Sequence, residues 1–349
     1  MVNSHYVPRL ILRKFADDNE HLIYADLVRR KCEDRNLKSI FSEIGYYSDE
    51  IEHELTMSVE DKFAKLFNDN LLKSGNQIIL SREDLFLIKK FLLIASLRKR
   101  INLDEVDTRN GALMDEIYCN NHAKNFESRM DAILKCNSSE ALLKFCDDMC
   151  ENSVDNTMLR AIKRIVCGYM SFVSSDICGE NFIISDCACG YWYGDGPFGK
   201  MNLIFGSDNP IVLNLLNKWD PADYVYFPLS KLLGVLVISP VFRKEYGLFD
   251  AGKYSRSNMK KRFGFDDKKI LSTPVVANLN GNNPSQRKYI YTKTQLSSQN
   301  AIFFNNLIMQ TSSKFIGFSD FEKIKRSLDS YLTMNGSHDL TFIAEFFKK

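Results

Sequence analysis

The sequence predicts an α+β fold: a mixed or antiparallel β-sheet from the N-terminal and 181–240 segments, packed against a mostly helical 50–175 layer and C-terminal helices. Three observations carry this. Apolar residues recur at helical spacing through the middle of the chain. Short runs rich in β-branched and aromatic residues lie on both sides of that middle. No repeat, low-complexity stretch or linker separates the pieces, so one domain over 1–349 with an inserted helical layer is expected.

The elements follow in order. Tyr6-Val7-Pro8 reads as extended, because the residue before a proline is pushed out of the α region. His21 to Ala25 reads as a short strand, and a hairpin is the simplest way to join it to the opening. Leu55, Val59, Phe63, Leu66 and Phe67 fall at helical spacing. Ser81 to Asp84 resembles a capping box, after which Leu85, Ile88, Leu92, Ala95 and Arg98 share one side. Further helices are expected near 104–135, 138–151 and 155–174, then strands at 182–184, 201–205, 224–227 and 232–238, with Gly190, Gly194, Gly196 and Gly199 at turns. Residues 241–295 read as irregular and 296–348 as helical.

Composition sets outer limits. Lys and Arg total 46 against 44 Asp and Glu, so a net charge of +2 excludes a globally basic protein and an acidic disordered tail. No apolar run approaches the ~18 residues of a transmembrane helix. The opening lacks the basic and apolar regions of a secretory leader. With nine cysteines, an odd number, this suggests reduced thiols and a cytoplasmic protein without membrane contact. Cys146/Cys150 and Cys187/Cys189 are two close pairs, but their spacing does not match zinc knuckles, and burial as small apolar residues is the simpler expectation.

The near-neutral charge is unevenly spread. Residues 251–294 hold ten basic residues, among them Lys260, Lys261 and Arg262, against Asp266 and Asp267, a local +8 that leaves −6 for the remainder. Tyr254, Phe263, Phe265, Tyr289 and Tyr291 are interleaved with them. Cations among aromatics suit a phosphate backbone with exposed bases, and a solvated basic loop is the plain alternative.

Several segments resemble the Domain of Unknown Function 4238 family: His5-Tyr6-Val7-Pro8-Arg9 followed by Leu12-Arg13-Lys14-Phe15, then Tyr46-Tyr47-Ser48 ahead of Glu52 and Glu54. Ala95-Ser96-Leu97-Arg98, Phe205 to Pro210 (Phe-Gly-Ser-Asp-Asn-Pro), Phe227-Pro228-Leu229-Ser230 and a late helix with Asn305 and Asn306 continue it to about residue 318. After Arg98 the chain has Lys99-Arg100 where family members often have Arg-Thr-Pro. The resemblance implies a bacterial protein in a setting of mobile elements and phage defence, and no stated activity.

Two readings follow. In the first the chain is a nucleic-acid-directed effector, a metal-dependent nuclease of a bacterial phage-defence or toxin-type system. Asp208 and Glu54 hold Mg²⁺ or Mn²⁺, and His5 is the general base. Arg9, Arg13, Arg98, Ser207, Asn209, Lys260, Lys261 and Arg262 bind phosphate. Here His5 and Arg9 share a strand face, and Arg13 joins them only if the strand runs past Pro8. Glu50, Glu54 and Asp61 on one helix face offer carboxylates for a cation, with solvated charges near a helix start as the stronger alternative. Arg98 needs a partner, and Asp208 or Glu54 is the expected one. In the second reading the chain is a non-catalytic binding or sensor protein, these polar residues form internal ion pairs, and a partner protein or second copy covers part of the surface. No phosphate-binding loop, dinucleotide fingerprint, HExxH or GxSxG stands in the sequence.

Overall fold

Pro8 decides how the chain begins. β1 (Asn3–His5) pairs antiparallel with β4 (Ser42–Ile44), His5 opposite Ser42. Pro8 then takes ψ 131° and becomes the N-cap of α1 (Arg9–Leu12). Proline's fixed φ and missing N–H cost nothing at a helix start. His5 and Arg9 therefore do not share a strand face, and Arg13 lies at the C-cap of α1. The hairpin forms later, from β2 (His21–Asp26) and β3 (Lys31–Asn36). The structure is a computed structural model that describes residues 3–44, 48–98, 130–152, 163–192, 224–238, 274–278, 287–334 and 336–348.

The next helical run depends on a four-residue repeat. Ile51, Leu55, Val59, Phe63, Phe67 and Leu71 are all buried. In a pure α-helix each step of four overshoots a turn by about 40°, so five steps would carry the stripe about 200° round the axis. The chain prevents that by unwinding twice. α2 (Asp49–Leu55) passes through a π-helical stretch, Thr56–Glu60, into α3 (Asp61–Leu66), which passes through a second, Phe67–Leu72. Wider π turns keep the stripe on one side. Phe63 stacks on Phe67 and on Phe91, with centroids 5.7 and 3.8 Å apart.

Phe91 belongs to α4 (Arg82–Leu97), which opens on the expected capping box. Ser81 Oγ accepts from Asp84 N–H at 3.0 Å, and Asp84 accepts from Ser81 N–H at 2.8 Å. α4 is buried almost all round in its second half. Its adjacent lysines close two other helices. Lys90 Nζ donates to the carbonyls of Leu134 and Cys136 at 2.6 and 2.8 Å, and Lys89 Nζ to that of Val166 at 2.6 Å. Ammonium groups suit the negative ends of helices. α5 (Ser139–Asn152) follows.

The helix expected over 155–174 stops at Gly168, and β6 (Tyr169–Ser174) takes its place. A Cβ on Gly168 would lie 2.4 Å from Val237 Cγ1 and 2.5 Å from the Arg164 carbonyl, so helix and sheet meet there only through glycine. The strand at 182–184 shrinks to β7 (Ile184–Ser185), and Gly190 opens β8 (Gly190–Trp192). β9 (Tyr224–Pro228) and β10 (Leu233–Ile238) lie where expected, while 201–205 and Gly194 to Gly199 lie outside the described residues. β11 (Val275–Asn278), β12 (Arg287–Thr292) and β13 (Thr294–Gln295) organise part of the expected irregular segment. β14 (Phe315–Phe318) splits the C-terminal helices into α6 (Ser298–Thr311) before it and α7 (Lys325–Thr333) and α8 (Thr341–Phe346) after.

The class is α+β. Among the described residues the strands form sheets in the orders β13-β6-β10-β9-β8, β3-β2-β14-β7 and β11-β12-β5, where β5 is Gln77–Leu80, besides the β1-β4 pair. All pairs are antiparallel except β13 with β6. Among the described residues the N-terminal hairpin shares a sheet with the 181–240 segment through β14, which pairs with β7; β8 to β10 belong to the β6 sheet. One contiguous apolar cluster joins these layers. Among the described residues no helix is long and apolar enough to cross a membrane.

The four-residue stripe yields a test. Met57 is exposed within the first π stretch. Met57→Ala should change stability by less than about 0.5 kcal/mol. Deleting Met57 leaves four residues in the stretch, and four wound as α turn the chain about as far as five wound as π, so the downstream stripe stays in phase. The deletion should therefore cost less than about 3 kcal/mol in urea denaturation, and a larger loss would show that the π turns do not set the phase of the stripe.

Candidate functional site

Arg98 ends α4 with its side chain 1% exposed. Its partners are Glu52 and Glu60: the guanidinium donates to Glu60 Oε1 and, at 3.4 Å, to Glu52 Oε2. Glu54, one of the two expected partners, is not among them. Glu54 is exposed, as are Glu50 and Asp61, and Asp208 lies outside the described residues. The reason is the π stretch. Eight residues apart, Glu52 and Glu60 would sit about 80° apart on a straight α-helix, and the unwinding between them turns both toward Arg98.

The other expected residues separate. His5 is buried, its Nε2 3.3 Å from the Leu37 carbonyl. Arg13 is exposed and pairs with Glu20 at 3.0 Å. Arg9 is half-buried and its Nε–H is a buried donor without an acceptor. Val7, Pro8 and Ile11 line one small apolar crevice with Phe91, Leu92 and Ala95, so the first segment lies along the second half of α4. Ser207, Asn209, Lys260, Lys261 and Arg262 lie outside the described residues. Among the described residues no group of three or more His, Cys, Asp or Glu side chains is arranged to hold a metal ion.

A second buried polar centre has no counterpart in the sequence reading. Glu180 is 1% exposed and accepts from Arg326 Nε at 2.6 Å and Ser327 Oγ at 2.9 Å. Asn305 Nδ2 donates to Ser327 Oγ and to the Asn181 carbonyl, and its Oδ1 accepts from Ile183 N–H. Burial pushes the Glu180 carboxyl up, against the pull of Ser327 and Arg326. Asp186, also buried, accepts from the backbone amides of Ser313 and Lys314 and the Ser313 hydroxyl. These carboxylates pin the segment around β7 to α6, α7 and the turn before β14. An acid set among Ile, Phe, Cys and Ser was the only signal for them.

A wider opening lies elsewhere. A cavity of 490 Å³ stands between α4 and the β11-β12 strands. Arg82, Leu85, Phe86 and Lys89 form its α4 wall at helical spacing, one face of the helix. Tyr289 and Tyr291 of β12 and Tyr169 of β6 form much of the opposite side. Tyr291 meets Phe172 edge-on at 5.2 Å, which fixes its ring. Among the described residues the cavity lining has two cations and no carboxylate. Burial pushes the Lys89 ammonium down to about 8, against the effect of Cys167 on the same wall. Glu140 lies close to Arg82, and its carboxyl is held low by its own amide, Ser138 and Arg82.

The fold and this geometry define an α+β protein with charge-paired interior helices and an open cationic, aromatic cavity. The chain belongs to the family described as protein of unknown function (DUF4238), whose model matches residues 3–322. No curated protein and no solved structure matches it.

Two stability tests follow. Arg98→Leu leaves two shielded carboxylates unpaired and should cost about 3–5 kcal/mol in urea denaturation, with most of the loss recovered when Glu52→Gln and Glu60→Gln are added. Glu180 has the opposite sense from a salt-bridged acid. Its folded carboxyl binds the proton more tightly than the unfolded one, so its contribution is complete below the ordinary carboxylate range and is lost as pH rises through the raised value. The melting temperature of wild type minus that of Glu180→Gln should therefore fall as pH rises above the ordinary carboxylate range. A difference independent of pH would contradict this.

Proposed function

We propose that the chain is a non-catalytic, nucleic-acid-directed binding protein that takes a single strand or nucleotide in the α4/β12 cavity. One observation carries this: Arg82 and Lys89 line the same 490 Å³ as Phe86, Tyr169, Tyr289 and Tyr291, with no carboxylate among the described lining residues. Every base has a face that stacks on an aromatic ring, and the neighbouring cations suit its phosphate. Tyr289 and Tyr291 belong to the basic, aromatic 251–294 segment. Arg98 and Arg13 each hold a carboxylate, and His5 sits buried beside a carbonyl. That arrangement supports internal pairing over a catalytic cluster. In this reading the protein is the recognition component of a bacterial phage-defence or toxin-type system, working in the cytoplasm.

The nuclease reading, with Mg²⁺ or Mn²⁺ on Asp208 and Glu54 and His5 as base, remains the second proposal. Arg9 favours it in part, since its buried Nε–H has no acceptor.

Binding of a labelled single-stranded oligonucleotide separates the two readings. Wild type should bind with an affinity that falls as salt rises. Arg82→Gln and Tyr289→Ala should each weaken binding about tenfold. Incubation with DNA, RNA and tRNA plus Mg²⁺ or Mn²⁺ should release no product. Absence of binding would overturn the proposal, and cleavage lost in Asp208→Ala would replace it with the nuclease reading.

A further inference from the structure

We infer a second ligand site, independent of the aromatic cavity, that takes the diphosphate or triphosphate group of a small molecule. It is a depression of 300 Å³ where Lys14, Lys231 and Lys293 converge beside Asp176. β6 joins the two openings: Tyr169 and Met170 line the first and Ser174 the second, about 16 Å further along the strand.

Three distant segments build this site for identifiable reasons. Lys14 follows α1, and its ammonium lies 5.9 Å over the Phe67 ring, above the buried helical stripe. Lys231 sits in the β9–β10 turn. There Ser230 Oγ accepts from the amides of Leu232 and Leu233, and Lys231 N–H donates to the Lys14 carbonyl at 3.2 Å. That last bond ties the turn to the N-terminal segment. Lys293 lies between β12 and β13, its backbone N–H bonded to Asn76 O at 2.8 Å and its Nζ to Ser74 O at 2.6 Å.

The charges leave the site open to an anion. Among the described lining residues three are lysines and one, Asp176, is an acid. Among the described residues neither Lys14 nor Lys231 has an ion-pair partner, and the Ser230 hydroxyl proton has no acceptor. Burial lowers the Lys293 ammonium, the expected response of a cation crowded away from water, with Asp176 opposing it. Like charges held together repel, and a multiply charged anion relieves that repulsion. The volume is at the lower bound of small-molecule sites, about 300 Å³, which suits a phosphorylated metabolite and not a duplex.

Calorimetric titration of the full chain with inorganic pyrophosphate at low salt tests this. Wild type should show saturable one-to-one binding. Lys14→Gln and Lys231→Gln should each weaken it about fivefold or more, and Asp176→Asn should tighten it about threefold by removing the one opposing charge. Lys231 and Asp176 are exposed, so neither change threatens folding. Arg82→Gln should leave the affinity unchanged. The inference is overturned if binding does not saturate, if the lysine and aspartate changes have no effect, or if Arg82→Gln abolishes binding and assigns the anion to the aromatic cavity. Displacement of pyrophosphate by a single-stranded oligonucleotide would overturn the small-molecule assignment and give the site to a nucleic-acid backbone. The oligonucleotide assay reports on Arg82 and Tyr289, so either site can fail alone.

Discussion

A guanidinium sealed from water must be neutralised where it stands, and Arg98 shows how much structure that requires. At 1% exposure its charge cannot be hydrated, and one carboxylate still leaves donors unmet. Glu52 and Glu60 both reach it, which demands that a helix be unwound between them. The same unwinding keeps Ile51 to Leu71 on one buried side. The ion pair and the apolar stripe thus impose one geometry. It anchors the end of α4, and α4 in turn positions Lys89, Lys90 and the face that carries Arg82.

The polar centre at Glu180 has a different task. Acids buried without a full counter-charge are costly, and Arg326 is half in solvent. What the site gains is connection: Glu180, Ser327, Asn305 and Asn181 link the approach to β7 with two C-terminal helices. Asp186 does the same for the turn before β14. A two-residue strand such as β7 has few ladder bonds of its own, so side chains hold it in register.

Much of the fold was legible because its signals are local. The capping box at Ser81, the strands at Tyr224 and Leu233 and the helical stripe from Leu55 all follow from spacing and residue type. The boundaries that failed depend on contacts made elsewhere. Tyr169 to Ser174 reads as the end of a helix, and only the press of Val237 on Gly168 shows that the helix has stopped and a strand begun. β14 is too short to announce itself between two helices, and gains its identity from β2 and β7. The site was less legible still. The sequence offered Asp208 or Glu54 as the partner of Arg98, whereas the π stretch turns Glu52 and Glu60 toward it. The cavity wall was hidden for a similar reason: Arg82, Phe86 and Lys89 gain meaning only when β12 lies opposite.

The two walls of that cavity differ in stiffness. On one side α4 is buried through its second half, locked at its end by two carboxylates and braced midway by lysines that close two neighbouring helices. Its amides belong to the part of the chain that opens only when everything opens. On the other side Tyr289 hangs on a three-stranded sheet whose edge strand β11 leaves Val275 and Val276 more than half in solvent. Any change in the width of the cavity therefore falls to the strands, with the helix as its fixed wall.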